Sequence, residues 1–268
     1  MPRTSAESST PTSPRASYDA PAVTSAVRII EYLCDRREPA GISDIANHLG
    51  LNKNMTYRII HTLQKEGWIL QVDRTKYTMG LSPFHHLAKP ISRMDIMQAS
   101  REPLRQLWEK SGESCYLGII DGTRTLFLEH LDAIGDVRIT ARPGGRFQMH
   151  CAAPGKVLLA FSEDAFVDTV VQENGLPAHT GKTLTSADAL KTDLQSIRTR
   201  GYGLDIEEYA EGLLCFAAPI FNHRSRIAGT IGLSVLTLYY SKQKMIRELG
   251  PMVLEAAKKC SVALGCPQ

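Results

Sequence analysis

Val27, Ile29, Ile30, Tyr32, Leu33 and Cys34 recur at near-helical spacing up to Asp35, Arg36 and Arg37, which predicts a first helix with Ser25 as its N-cap. Gly41 breaks the chain. The stretch Ser43 to Gly50 then has an N-cap serine, Ile45 and Leu49 four apart and a closing glycine, so a short second helix is expected. After the turn Gly50-Leu51-Asn52, the segment Lys53 to Gly67 keeps Met55, Ile59, Ile60 and Leu63 on one side and predicts a third helix. Trp68 to Val72, the polar turn Asp73-Arg74-Thr75 and Lys76 to Met79 then read as a tight hairpin. Helix, helix, turn, helix and hairpin is the order of a winged helix-turn-helix.

Further along, Leu81 to Ser111 is mainly helical, with Pro90 and Pro103 expected at boundaries or first turns. Ser114 to Ile120 and Arg124 to Leu131 are β-rich runs joined by Asp121-Gly122-Thr123, and Val137 to Ala141 and Arg146 to Met149 add short strand candidates. Helices are expected from Pro154 to Phe161, Ser162 to Glu173, Ser186 to Arg200 and Ser241 to Ala263, with strands at Leu213 to Phe221 and Ile227 to Val235. The predicted class is therefore α+β, the second domain having an antiparallel sheet core. The expected domains are a disordered tail at 1–22, a winged helix-turn-helix at 23–80, a helical linker at 81–111 and a second domain at 112–268.

Composition narrows the function. No apolar run approaches the roughly 18–20 residues that span a bilayer, and the Ser/Thr/Pro-rich start has no secretory core, so a cytoplasmic protein without a membrane partner is expected. The six cysteines form no CxxC pair and are read as reduced thiols. His150 beside Cys151, with Cys115 and His130, supplies zinc-capable types without tight ligand spacing, so no metal is expected; no GxGxxG or P-loop implies a cofactor. A formal charge of +3 identifies no partner, and residues 22–80 hold eight cations against six acids, so any nucleic-acid signal is local. The second helix of a helix-turn-helix enters the major groove, and here that window offers Asn52, Lys53, Asn54, Thr56, Tyr57 and Arg58, the donors and acceptors that double-stranded DNA requires. Arg74 and Lys76 on the wing either touch the flanking backbone or simply face water.

Ser25 to Leu33, Ile42 to Ala46, Lys53 to Leu63 and Lys76 to Gly80 together resemble the DNA-binding domain of the IclR family of bacterial transcriptional regulators. His150-Cys151-Ala152-Ala153-Pro154-Gly155-Lys156 looks like that family's signature segment, and Arg200 to Glu208 through Gly212 to Pro219 looks like its effector-domain motif. The resemblance runs from Ser25 to the C-terminus and implies a winged helix-turn-helix, a helical linker and a GAF-like effector domain, assembled as homodimers or homotetramers. It implies a ligand-responsive regulator, more commonly a repressor, sensing a small organic acid through Ala153, Pro154, Gly155, Asp205, Cys215, Gly232 and Ser234.

Two of those positions depart from the family pattern. Pro154 brings no N–H, and Gly232 stands where a hydroxyl is expected, which suggests extra room and a bulkier, aromatic acid. Each also has a plain alternative reading: Cys215 as filler of an apolar strand, Asp205 as a turn-closing residue, and Glu207-Glu208 as a solvated turn. The competing function is a thiol-dependent enzyme using Cys215 or Cys151; only His150 lies beside either thiol in sequence. A tail with almost nothing to bury cannot contribute to the core. Deleting residues 1–20 is therefore expected to leave the thermal midpoint unchanged; a large drop in a melting experiment would show that the segment packs.

Overall fold

The structure, a computed structural model, describes residues 20–92, 95–135, 139 and 141–267. The expected tail lies outside the described residues except for its last three, and the strand expected at Val137 to Ala141 falls largely outside them. Two compact units divide between Pro90 and Ile91.

In the first unit, α1 (Pro21–Cys34) starts ahead of Ser25, because Pro21 presets the backbone angle of the first turn. Ser25 is not the cap: it is buried, and its hydroxyl donates to the Pro21 carbonyl at 2.8 Å. A two-residue strand, β1 (Ala40–Gly41), is too short to leave a sequence pattern. Next, α2 (Ile42–Leu49) is capped by Gly41 rather than Ser43, with the Asp44 carboxylate accepting from the Gly41 N–H at 3.3 Å. Gly50, at φ +64°, ends it in the left-handed conformation that glycine adopts without strain. Asn52 caps α3 (Lys53–Lys65), its Oδ1 accepting from the N–H groups of Asn54 at 2.9 Å and Met55 at 3.3 Å. The wing is β2 (Ile69–Gln71) and β3 (Lys76–Met79), and the antiparallel order β1-β3-β2 makes it three-stranded. Ile29, Leu33, Ile45, Ile59, Ile60, Ile69 and Tyr77 form the core beneath it. The division between units falls within α4 (Ser82–Ser92).

The second unit opens with α5 (Asp95–Ser111), β4 (Ser114–Asp121), β5 (Arg124–Leu131) and the short β6 (Arg146–Phe147). It continues through α6 (Ala153–Ala160), α7 (Asp164–Asn174), α8 (Ala187–Arg200), β7 (Gly203–Ile206), β8 (Leu213–Phe221) and β9 (Ile227–Leu236). It closes with α9 (Lys242–Glu248) and α10 (Gly250–Ala263). The six strands form one antiparallel sheet in the order β6-β5-β4-β9-β8-β7.

Both faces of this sheet are covered. Leu214, Phe216, Ala218 and Ile220 of β8 pack with Leu104 and Leu107 of α5 and Val253 and Ala257 of α10, while Leu213, Cys215 and Ala217 pack with α6, α7 and α8. That is why β8 reads as a continuous apolar run rather than an alternating one. Three expectations are corrected here. Pro103 lies inside α5, where burial of Ile96, Leu104 and Leu107 outweighs the lost backbone bond. The single final helix is two, restarted at Gly250-Pro251, and the edge strand β7 was not anticipated.

One ion pair ties three of these elements together. Lys156 of α6, 1% exposed, places its Nζ 2.9 Å from Asp193 Oδ2 of α8 and 2.5 Å from Glu208 Oε1 in the turn after β7. Removing one partner of a buried pair leaves the other charges uncompensated, so Lys156→Met is expected to destabilise the protein by about 3–5 kcal/mol. Urea unfolding checks this; a loss near zero would mean that water reaches the pair.

Candidate functional site

On the first unit, Asn52, Lys53, Asn54, Tyr57 and Arg58 are exposed together along the N-terminal half of α3, and Arg74 and Lys76 are exposed on the wing. Among the described residues Lys53, Arg58 and Arg74 form no ion pair, so their charges are available to an anionic partner. Asn52 has already committed Oδ1 to its cap and keeps only its amide donors. Thr56 is a correction: it is 0% exposed and its hydroxyl donates to the Asn52 carbonyl at 3.0 Å, so it packs α3 onto its unit and reads nothing. His61, overlooked in the sequence, lies with its ring 4.5 Å from that of Tyr57, the i,i+4 spacing having been its only signal. The Asp73 carboxylate accepts from Thr75 and Lys76 N–H groups at 2.7 and 2.8 Å; the Thr75 backbone bond is the main cause holding its pKa below the usual range.

On the second unit, strand register brings distant residues into one line. Ser114 of β4 pairs with Ser234 of β9, Ser234 with Cys215 of β8, and Cys215 with Asp205 of β7. Directly paired residues share a face, so these four side chains form a polar row across the sheet, on the side covered by α6. All are buried, at 0%, 6%, 5% and 0% exposure respectively, which closes the row to solvent. Cys215 Sγ lies 3.1 Å from Ser234 Oγ, and the Ser114 hydroxyl accepts from Ala133 N–H at 3.1 Å.

Asp205 serves two purposes. Its Oδ1 accepts from the N–H groups of Glu208 at 2.7 Å and Tyr209 at 3.3 Å, closing the turn, whereas Oδ2 is buried with no hydrogen-bond partner. Burial pushes its carboxyl up to about 7, against the lowering effect of the Glu208 backbone bond. Burial, and then the Asp205 charge, pushes the Cys215 thiol up as well. Glu208, expected on a solvated turn, is instead buried against Lys156.

The expected room at Gly232 is also corrected. A Cβ there would stand 2.4 Å from the Phe216 carbonyl oxygen and 2.6 Å from the Tyr116 hydroxyl, so the phenol of the paired residue already fills the space. Tyr116 stacks on Phe127 at 4.8 Å, the Phe147 ring lies tilted against Phe127 at 4.5 Å, and Phe147 meets Tyr209 edge-on at 6.0 Å. This ring wall was invisible in the sequence because its members come from four separate segments. Of the signature residues, Ala153, Pro154 and Gly155 are buried in the first turn of α6. A Cβ on Gly155 would fall 2.4 Å from the Met149 Cα, so this glycine permits the chain before the helix to cross it closely.

Comparison with known proteins gives two family-model matches: "IclR helix-turn-helix domain" over residues 22–73 and "Bacterial transcriptional regulator IclR C-terminal" over residues 88–262. The HTH-type transcriptional regulator KdgR of Escherichia coli K12 is 29% identical over 238 residues, 88% of this chain and 90% of that protein. The transcriptional repressor IclR of the same organism is 28% identical over 246 residues, 91% of this chain and 89% of its own. A solved IclR homolog complexed with 4-hydroxybenzoate, from Microbacterium hydrocarbonoxydans, covers 91% of this chain and 98% of its own, with a TM-score of 0.80 and 21% identity, a likeness of fold.

A carboxyl held near 7 retains a proton in the folded chain that the unfolded chain releases above about pH 4. Its contribution to stability is therefore complete below that point and is lost as pH rises through about 7. Asp205→Asn keeps the Oδ1 acceptor and cannot ionise. Its thermal midpoint, relative to the parent, is expected to rise between about pH 5 and about pH 8. An equal difference at both would show that Asp205 ionises as an exposed carboxyl does.

Proposed function

Because the chain belongs to the IclR family of bacterial transcriptional regulators, with a DNA-binding helix-turn-helix and an effector domain, we propose that it is a repressor released or engaged by a small, flat organic acid. The observation that carries the effector part is the buried polar row with the orphaned Asp205 Oδ2. A protonated Asp205 donates to an acid's carboxylate. The N–H groups of Ala153 and Gly155 at the start of α6 add the partial positive charge of a helix N-terminus, with Pro154 contributing none. Ser234 and Cys215 orient the ligand, and Gly232 is kept side-chain-free for Tyr116 rather than for the ligand. The aromatic preference now rests on the wall of Tyr116, Phe127, Phe147 and Tyr209, which offers ring faces and edges to a flat molecule. The 4-hydroxybenzoate carried by the homolog is an acid of that kind.

For DNA, the proposed readers are Asn52, Lys53, Asn54, Tyr57 and Arg58 of α3, with Arg74 and Lys76 on the flanking backbone. A homodimer or homotetramer presents two such helices to two half-sites, and the site of action is the cytoplasm. The repressor sign follows the relative named as one. A thiol enzyme is not favoured: burial raises Cys215 and pushes Cys151 up to about 12, whereas a nucleophilic cysteine needs its pKa lowered.

A salt-controlled binding assay against the gene's own upstream DNA, repeated with aliphatic and aromatic acids, tests both halves. One aromatic acid is expected to shift affinity; Asp205→Asn, whose amide N–H replaces the protonated carboxyl as donor, is expected to keep that shift, and Asp205→Ala to bind DNA as the parent does without it. Arg58→Ala is expected to lose about 1–3 kcal/mol of DNA affinity at matched salt. Binding that no acid shifts would sink the effector reading alone, and an unchanged Arg58→Ala would take that side chain off the interface.

A further inference from the structure

The exposed face of α3 holds a residue that the readers proposed for DNA do not include. Thr56, Ile59 and Ile60 are buried and Leu63 is half-buried, which fixes how the helix is rotated on its unit. At about 100° per residue, the bearing opposite that stripe falls on Asn54, Arg58, His61 and Lys65. Neighbouring polar atoms are already committed: the Thr62 hydroxyl donates to the Arg58 carbonyl at 2.9 Å, and Asn52 Oδ1 closes the helix cap. The His61 ring is exposed and has no hydrogen-bond partner among the described residues; its contact is the Tyr57 ring, 4.5 Å away and tilted by 53°. We propose that His61 is a specificity residue for DNA, its ring donating an N–H to N7 of a guanine in the major groove, with Tyr57 positioning the ring. The proposal rests on α3 being the helix that enters the groove.

Chemistry selects the base. Each protonation state of imidazole carries at least one N–H, whereas only the neutral ring has an acceptor, so the ring meets the groove as a donor. Over guanine that N–H meets two acceptors, N7 and O6. Over adenine it meets one acceptor beside an opposing amino donor, and over thymine one acceptor crowded by a methyl group.

Helix geometry places the guanine. His61 follows Asn54 by seven residues, so the two share a bearing to within about 20° and stand about 10 Å apart along the axis. With duplex base pairs about 3.4 Å apart, a helix lying along the groove sets His61 about three base pairs from the pair that Asn54 meets.

Tyr57 lies off this line, towards the wing, where it lines a cleft with Arg74, Thr75 and Lys76. Its ring is 51% exposed, and it stands between His61 and those wing residues. The imidazole is thereby kept from turning towards the wing and is held out from the face of the helix. A donor oriented before DNA arrives loses less freedom on binding.

Duplexes selected by the full-length chain from a random pool supply the probe. Within a selected site each guanine is replaced in turn by 7-deazaguanine, which keeps O6 and the base pair but puts a C–H where N7 was. At one guanine per half-site the parent is expected to lose about three- to tenfold in affinity, the worth of one hydrogen bond. His61→Ala, at an exposed position and checked for folding by circular dichroism, is expected to bind the unmodified site about three- to tenfold more weakly. It is also expected to be indifferent to the replacement at that guanine, whereas Arg58→Ala remains sensitive there. Tyr57→Ala is expected to shrink the deaza loss at that guanine and at no other, which a general loosening of the helix would not do. If sites are selected but no guanine shows a loss that His61→Ala abolishes, the proposal falls while the DNA reading stands. If no sequence is enriched, the DNA reading falls and takes the proposal with it.

Discussion

The second unit is organised around one buried ammonium. Lys156 leaves water from the middle of α6, and its neutralisation requires Asp193 on α8 and Glu208 after β7 to meet it. Glu208 then acts through its backbone as well: its N–H donates to Asp205, and its carbonyl accepts from Thr183, whose hydroxyl accepts from His179 N–H. Helix α6, the orphaned Asp205 oxygen and the His179 segment are thus held by one chain of bonds starting at a single charge. Removing Lys156 alone would strand two buried carboxylates, whereas exchanging all three charged side chains for apolar ones of similar volume is often near neutral, so the ion group accounts for placement of these elements more than for net stability.

The first unit was legible because its signals are local. Helix periodicity, the glycine after α2 and the polar turn of the wing all lie within a few residues of what they determine, and the N-caps moved from Ser25 to Ala20 and from Ser43 to Gly41. In those cases the serine cap rule competed with backbone chemistry already in place, a proline and an Asp44 side chain folding back on Gly41. Strand β1 escaped because two residues carry no period, and Pro103 misled because packing on both sides of α5 was not visible from its own sequence.

The second site was legible only through family resemblance. Asp205, Cys215 and Ser234 are spread along three strands, and nothing in their spacing says that they are direct register neighbours, or that Ser114 completes the line. The error at Gly232 is instructive in the same way. A missing side chain was read as empty space, but in a sheet the space above a glycine belongs to its cross-strand partner, here Tyr116. Glu208 and His179 were missed because Lys156 lies 52 residues from the one and Gln148 31 residues from the other, while the bond from His179 N–H to Thr183, four residues on, gives no pattern of its own.

Closure of the polar row sets a limit on how such a domain responds. On the proposed reading, with every member of the row at 6% exposure or less, a ligand reaches Asp205 Oδ2 only through a conformation more open than this one. Its apparent affinity is its intrinsic affinity reduced by the fraction of chains that are open. The response of a DNA-binding partner domain can then be no larger than the difference in the ligand's affinity for the two conformations, and an acid that fits both equally changes nothing however tightly it binds. On the proposed reading, the orphaned oxygen of Asp205 is where that difference arises: unsatisfied in the closed chain, it gains its partner only when the acid is present, so the cost of leaving a buried polar atom unpaired becomes the free energy that distinguishes the two states.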